Sequence, residues 1–267
     1  MIRGAVGFLV TAVAISASLM LLRLTPATTD WFIKEDGPIE DFGAVCLFGA
    51  SAFVVLALFH LRRAMVSRIK LASYACCALF LFIAGGEEIS WGQRFLDIQT
   101  PQIIAKINVQ GEINLHNLYG NEHGQNVSVI IFRMFWFVLG VALPLAARWR
   151  PLGRQLDRYF PLFPLWLAFA FIYQQLLWRP VEALWMRDPG SWTGTYPYGD
   201  VGSTQRIRIT TPAEALAGQD RAPAGMSELM EANVEMLLLV GAVCLFLAAW
   251  RVRAREEGGF EPLHPRS

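Results

Sequence analysis

Charge is scarce in this chain. Asp, Glu, Lys and Arg make up 17% of its 267 residues, against about 25% in soluble globular domains. The 23 basic and 22 acidic residues nearly cancel, so the basic footprint of a nucleic-acid-binding protein is missing. Cysteine is scarce too. Cys46, Cys76, Cys77 and Cys244 all lie inside apolar runs and form no CxxC pair. That placement fits neither a disulfide framework nor a zinc site, and the four read as small core hydrophobes. There is no G-x-S-x-G elbow and no HExxH spacing, which leaves a serine hydrolase or a zincin without its signature. No internal repeat and no low-complexity tract breaks the chain into units.

What is present is apolar. Hydrophobic residues make up 54% of the chain, and the mean hydropathy is +0.38. A bilayer crossing takes ~20 mostly apolar residues. Six segments meet that length, at about 4–24, 39–59, 71–90, 128–147, 159–178 and 229–250. The expected fold is all-α, a single integral membrane domain spanning 1–267 with six transmembrane helices. Met1-Ile2-Arg3 gives a small basic start. The first run is too long for the h-region of a signal peptide and no A-x-A site follows, so it reads as a retained helix.

Orientation follows from the Lys/Arg bias of the short loops. HLRRAMVSRIK, RWRPLGRQLDR and RVRAR all fall on one side, together with the amino terminus. Both termini are therefore expected in the cytoplasm of a bacterial inner membrane. The two long loops, 87–127 and 179–227, face the periplasm, joined by PATTDWFIKEDGPIED between the first two helices. Within 179–227, DPGSWTGTYPYGDVGSTQ reads as irregular structure or short strands, and RPVEALWMRD as an interfacial helix. Trp31, Trp91, Trp178, Trp185 and Trp192 fit an outer aromatic belt.

Polar residues gather at one depth. At 1.5 Å per residue, Lys70 to Glu87 spans about 26 Å, and Arg148 back to Arg133 about 23 Å. Arg158 to Gln174 and Arg251 back to Glu235 each span about 24 Å. Four helices thus bring Glu87/Glu88, Arg133, Gln174/Gln175 and Glu235 just inside the outer boundary of a ~30 Å hydrocarbon core. In MSELMEANVEMLLL, Glu228, Glu231 and Glu235 recur at i, i+3 and i+7 and share one helix face, with Asn233 off it. Carboxylates entering a membrane helix must face protein, water or a counter-charge. The pattern predicts a polar cup opening outward, walled by GEEISWGQR. The loop NVQGEINLHNLYGNEHG adds Glu112, Asn114, His116, Asn117, Glu122 and His123, and KEDGPIED adds Glu35, Asp36, Glu40 and Asp41.

Two readings of these groups stand side by side. Glu87 and Glu88 could form ion pairs with Arg133 or Arg94 that hold the helices in register. Alternatively Glu87, Glu88, Glu235 and Arg133 are catalytic, since intramembrane ionisable groups default to function. Glu88, His116, Glu231 and Glu235 would then be the candidate ligands of a divalent metal, Zn or Mg, which would offset the carboxylate excess and activate water. Ser90 reads as a helix-end hydrogen-bonding residue rather than a nucleophile.

Through EDGPIE, GEEISWGQR and NLHN the chain resembles a group of uncharacterised multi-pass bacterial inner-membrane proteins. The likeness covers the amino-terminal half and implies topology without an activity. Glu87-Glu88 followed by Arg94 also echoes the EExxxR motif of CAAX-type membrane endopeptidases, with the arginine two residues further on. Histidine motifs of that family are missing from the spans, so no mechanism is carried over.

The function expected on these grounds is a membrane-embedded hydrolase or transferase acting on a lipid-linked or membrane substrate. Two alternatives are a proton- or cation-coupled transport protein, and a non-catalytic subunit or assembly factor docking an extracytoplasmic protein through 179–227. The bilayer is the one partner common to all three; nucleic acid is not expected.

Overall fold

The structure, a computed structural model, describes residues 2–20, 37–64, 66–93, 95–108, 112–115, 127–187, 195–197, 206–208 and 224–257. Helix α1 runs Ile2–Ser18. Helix α2, Pro38–Arg63, opens on a proline whose missing N–H costs nothing there, with Glu40 and Asp41 in its first turn and His60, Arg62 and Arg63 in its last. Its 26 residues reach about 39 Å. Helix α3, Arg68–Glu88, is capped by the Ser67 hydroxyl, which accepts from the Lys70 N–H at 3.2 Å.

The end of α3 departs from the expected 71–90. Ser90, Trp91 and Gly92 take φ values of +46°, +57° and +74°, left-handed backbone that an α-helix does not pass through. The chain turns out of the helix at Glu88 and continues through a single 3-10 turn, Ser90–Gly92, to the short helix α4, Gln102–Ala105.

Helix α5 covers Val127–Ala146 with a π-turn at Val138–Ala142. Gly140 in that turn faces the ring of Phe171, where a Cβ would collide. The wider turn and the bare glycine together admit the ring, which stacks on Trp136 at 5.8 Å between centroids. The segment RPLGRQLDRY forms a helix of its own, α6, Arg150–Tyr159. The expected fifth span at 159–178 is displaced for that reason. Phe160 is extended and Pro161 and Pro164 carry no N–H, so α7 begins only at Leu165 and runs to Arg187. RPVEALW is thus continuous with the span rather than a separate interfacial helix. Further along the chain Thr195–Pro197 (β1) pairs antiparallel with Arg206–Arg208 (β2). Helix α8, Ala224–Glu257, is the longest element described.

Among the described residues, four helices are long and apolar enough to cross a membrane: Pro38–Arg63, Arg68–Glu88, Val127–Ala146 and Glu228–Ala254. Ile2–Ser18 and Leu165–Leu177 are apolar but shorter as described. The architecture is that of a helical integral membrane protein.

Helix α8 packs along α2, and α2 in turn along α3. Leu47, Ala50, Val54, Ala57 and Leu61 alternate at three and four residues and are buried, as are Val234, Leu238, Ala242, Leu245 and Ala249 of α8. Between helices in lipid, close packing and interhelical hydrogen bonds replace the hydrophobic effect, so small side chains at the seam are favourable. One such bond joins α2 to α3: the buried Ser51 hydroxyl donates to the Ala78 carbonyl at 2.8 Å. At the other end of α3, Ser67, Lys70 and Ser73 donate to the carbonyls of Arg158, Asp157 and Tyr159 at 3.1, 2.5 and 2.6 Å. These are terminal carbonyls of α6 that its own helix leaves unpaired.

Candidate functional site

Two neighbouring glutamates leave the end of α3 in different company. Glu87 is 9% exposed. Its carboxylate accepts from the Trp91 indole N–H at 2.8 Å and from the backbone N–H of Leu115. The left-handed turn after Glu88 is what swings Trp91 back over Gly86, where a Cβ would strike the indole. Glu87 therefore fastens the loop to the helix end.

The same loop is held by a connected polar network. Ser90, fully buried, donates its hydroxyl to the Glu112 carboxylate, and the Asn114 amide donates to Ser90 Oγ at 2.8 Å and to Glu112 at 3.1 Å. Asn108 donates to Asn114 Oδ1 at 2.8 Å and accepts from the Glu112 N–H at 3.1 Å. Gln93 accepts from the Ile113 N–H at 2.7 Å and donates to Thr100 at 2.5 Å. GEEISWGQ is thus joined with Asn108 and residues 112–115 into one hydrogen-bonded unit. Each buried member has partners, and such a network fixes one conformation.

Glu88 faces the other way. The charges acting on it are Glu235, Glu231 and Glu228 of α8 and Glu40 of α2. Those acting on Glu235 are again Glu231 and Glu40. Every one of these is a carboxylate; no described Lys or Arg acts on either residue. Glu235 is 2% exposed, and its Oε1 is buried without a hydrogen-bond partner among the described residues. The carboxylate lies against Gly43 of α2, in the space a Cβ there would take. Glu235 of α8 thus packs near the amino-terminal end of α2, and its charge acts on Glu88 at the carboxy-terminal end of α3.

Behind it, two amides join α8 to its neighbours, Asn233 to α1 and Gln174 from α7. Asn233 Oδ1 accepts from Ser18 at 3.0 Å, and Gln174 donates to the Met230 carbonyl at 2.8 Å. Asn233 Nδ2 and Gln174 Oε1 are buried without partners among the described residues. Asn233 is 200° round the helix from Glu235 at 100° per residue, so it belongs to a separate contact layer.

Of the residues expected to share the cup, Glu88, Glu231 and Glu235 lie close enough for their charges to act on one another. Glu87 points into the loop network instead. Arg133 is exposed on α5 and is not among the charges acting on Glu88 or Glu235. His116, Asn117, Glu122, His123, Arg94, Glu35 and Asp36 lie outside the described residues. Among the described residues, no three His, Cys, Asp or Glu side chains are arranged to hold a metal ion; the fourth ligand expected for one was His116. Sequence reasoning missed Gly43 as the seat of Glu235. The signal was there in EDGPIEDFG, where Gly43 follows Glu40 by three residues on the same face of α2.

No family model matches the chain, and neither does a curated protein or a solved structure.

Proposed function

We propose that the chain is a six-span inner-membrane hydrolase or transferase. Both termini lie in the cytoplasm, and the working groups are the carboxylates of Glu88 and Glu235. The observation that carries this is Glu235, buried against Gly43 with its Oε1 without a hydrogen-bond partner among the described residues. A buried carboxylate in a membrane helix is costly unless it meets protein, water or a counter-charge. It requires a positive partner from outside the described residues: a proton, a divalent cation, or a cationic centre of a substrate.

In this reading Glu235, seated on Gly43, is the fixed member, and half-buried Glu88 at the helix end is the one that exchanges with the outer aqueous side. One carboxylate takes a proton from an attacking hydroxyl or water, and the other delivers one to the leaving group, the division of labour that paired carboxylates allow. A lipid-linked substrate suits the depth, since its tail would stay in the bilayer while its head reached the outward ends of α2, α3 and α8. A Zn or Mg ion is not held by Glu88, Glu231 and Glu235 as they are arranged among the described residues, and the reading rests on the carboxylates themselves. Arg133 stands outside this pair.

The test uses full-length protein in proteoliposomes, screened against lipid-linked phosphate and glycoside esters, with elemental analysis of each sample. Turnover should be lost in Glu88→Gln and Glu235→Gln while both remain folded, and should persist in Arg133→Gln. A bound divalent ion lost in the same two variants would make the site metal-dependent. Cation or proton uptake without turnover would make the same carboxylates a transport site and refute the enzyme.

A further inference from the structure

Helix α6 carries a feature that the carboxylate layer does not use. Leu152, Leu156 and Tyr159 recur at i, i+4 and i+7 and are half-buried, while Arg150, Arg154 and Arg158 are exposed. On the face opposite the leucines, Arg150, Gly153, Arg154 and Asp157 fall at i, i+3, i+4 and i+7. With Ala147 they line an open cleft of about 550 Å³. Gly153 forms its floor: the N–H donates to the Trp149 carbonyl at 2.8 Å, and a Cβ would run into the carbonyl oxygen of Ala147.

The charge in the cleft is not balanced internally. Asp157 is its only acidic lining residue and is engaged by Lys70 at 3.3 Å. Arg150 and Arg154 enter no ion pair among the described residues. Trp149 and Phe160 flank the helix and are 68% and 41% exposed, the position in which aromatic rings sit at headgroup depth. The helix cannot drift from this place, because the bonds from Ser67, Lys70 and Ser73 tie its end to α3.

We propose that this cleft binds the phosphate headgroup of an anionic phospholipid, with Arg150 and Arg154 on the phosphate and Trp149 and Phe160 at the acyl boundary. A guanidinium presents paired donors that match phosphate oxygens. The exposed aromatics decide for a lipid over a soluble anion, which would have no use for them. The site is independent of the carboxylate layer, and either stands if the other fails.

The experiment is native mass spectrometry of the full chain, titrated separately with phosphatidylglycerol and phosphatidylcholine. Wild type should retain phosphatidylglycerol preferentially. The Arg150→Gln/Arg154→Gln variant should lose about tenfold or more of that retention, since each basic residue near an anionic surface is worth roughly fivefold. Arg150→Lys/Arg154→Lys, which keeps the charge, should recover part of it. A thermal melt checks folding; should the double variant fail it, Arg154→Gln alone, on the exposed face, should still lose about fivefold. Equal retention of the two lipids, or unchanged retention in the glutamine variants, would overturn the proposal. So would displacement of phosphatidylglycerol by an equal concentration of inorganic phosphate, which would make the cleft a free-anion site.

Discussion

The carboxylate of Glu235 occupies the space that a Cβ on Gly43 would need. Helix α8 can bring an acidic side chain this close to α2 only because position 43 has no side chain. Gly43→Ala should therefore displace Glu235 or part the helices, at a cost of about 1–3 kcal/mol by the usual scale of overpacking. Thermal unfolding in detergent reads the loss. Adding Glu235→Asp, which withdraws the carboxylate by one methylene, should recover part of it. Gly49→Ala is the comparison, since its Cβ would meet the methyls of Leu239, the nearer at 3.2 Å, and it should cost less.

Glu87 is the structural member of the glutamate pair. Replacing it by Gln sets an NH₂ against one of its two donors, Trp91 or Leu115. The expected loss is about 1.5–3 kcal/mol, the range for a hydrogen bond to a charged group. Hydrogen exchange localises it: the Leu115 amide should exchange faster, while amides in the middle of α2 should not change.

Ser90 combines a buried hydroxyl with left-handed backbone at φ +46°. Ser90→Ala removes the hydroxyl and should cost about 1–3 kcal/mol, because Asn114 and Glu112 lose a buried partner. Ser90→Gly removes the same hydroxyl but relieves the backbone, worth about 1–2 kcal/mol in that region. The glycine variant should therefore melt above the alanine variant. The reverse order would mean that the turn is unstrained.

At the other end of α3, Asp157 and Lys70 should behave unequally. The Asp157 side chain is 73% exposed and that of Lys70 14%, so the ion pair itself is worth only about 0–1 kcal/mol. Asp157→Asn should be nearly silent in a thermal melt. Lys70→Met also removes the donor to the Asp157 carbonyl, and should loosen α6 enough to speed tryptic cleavage at Arg154 and Arg158.

Much of this was legible in the chain. The apolar runs located the four membrane-length helices, since length and hydropathy depend on local composition alone. The i, i+3, i+7 spacing of Glu228, Glu231 and Glu235 put the acidic stripe on one face, and its charges act on Glu88 at the end of α3. Boundaries were less legible. The α3 terminus depends on three left-handed residues, two of them not glycine, and non-glycine residues carry no signal for that conformation. The split of the fifth segment was marked by Pro161 and Pro164, but the apolar character of PLFPLWLAF outweighed it. What sequence could not decide was which of Glu87 and Glu88 faces the stripe. Adjacent helical positions differ by 100°, and the answer depends on Trp91 and Leu115, whose claim on Glu87 arises only when the loop folds back.

The central claim is that Glu88 and Glu235 form a layer kept for function at the expense of stability, a trade that functional sites commonly make. The most direct measurement is the melting temperature of Glu88→Gln, Glu235→Gln and the double variant beside Glu87→Gln, in one detergent at neutral pH. Each kcal/mol shifts a chain of roughly this size by about 2–4 °C. Glu88→Gln and Glu235→Gln should each melt at or above the wild type. The double variant should gain less than the sum of the two, because the first substitution already relieves the repulsion. Glu87→Gln should melt below. If Glu235→Gln or Glu88→Gln falls as far as Glu87→Gln, the layer is a structural lock and the account is contradicted.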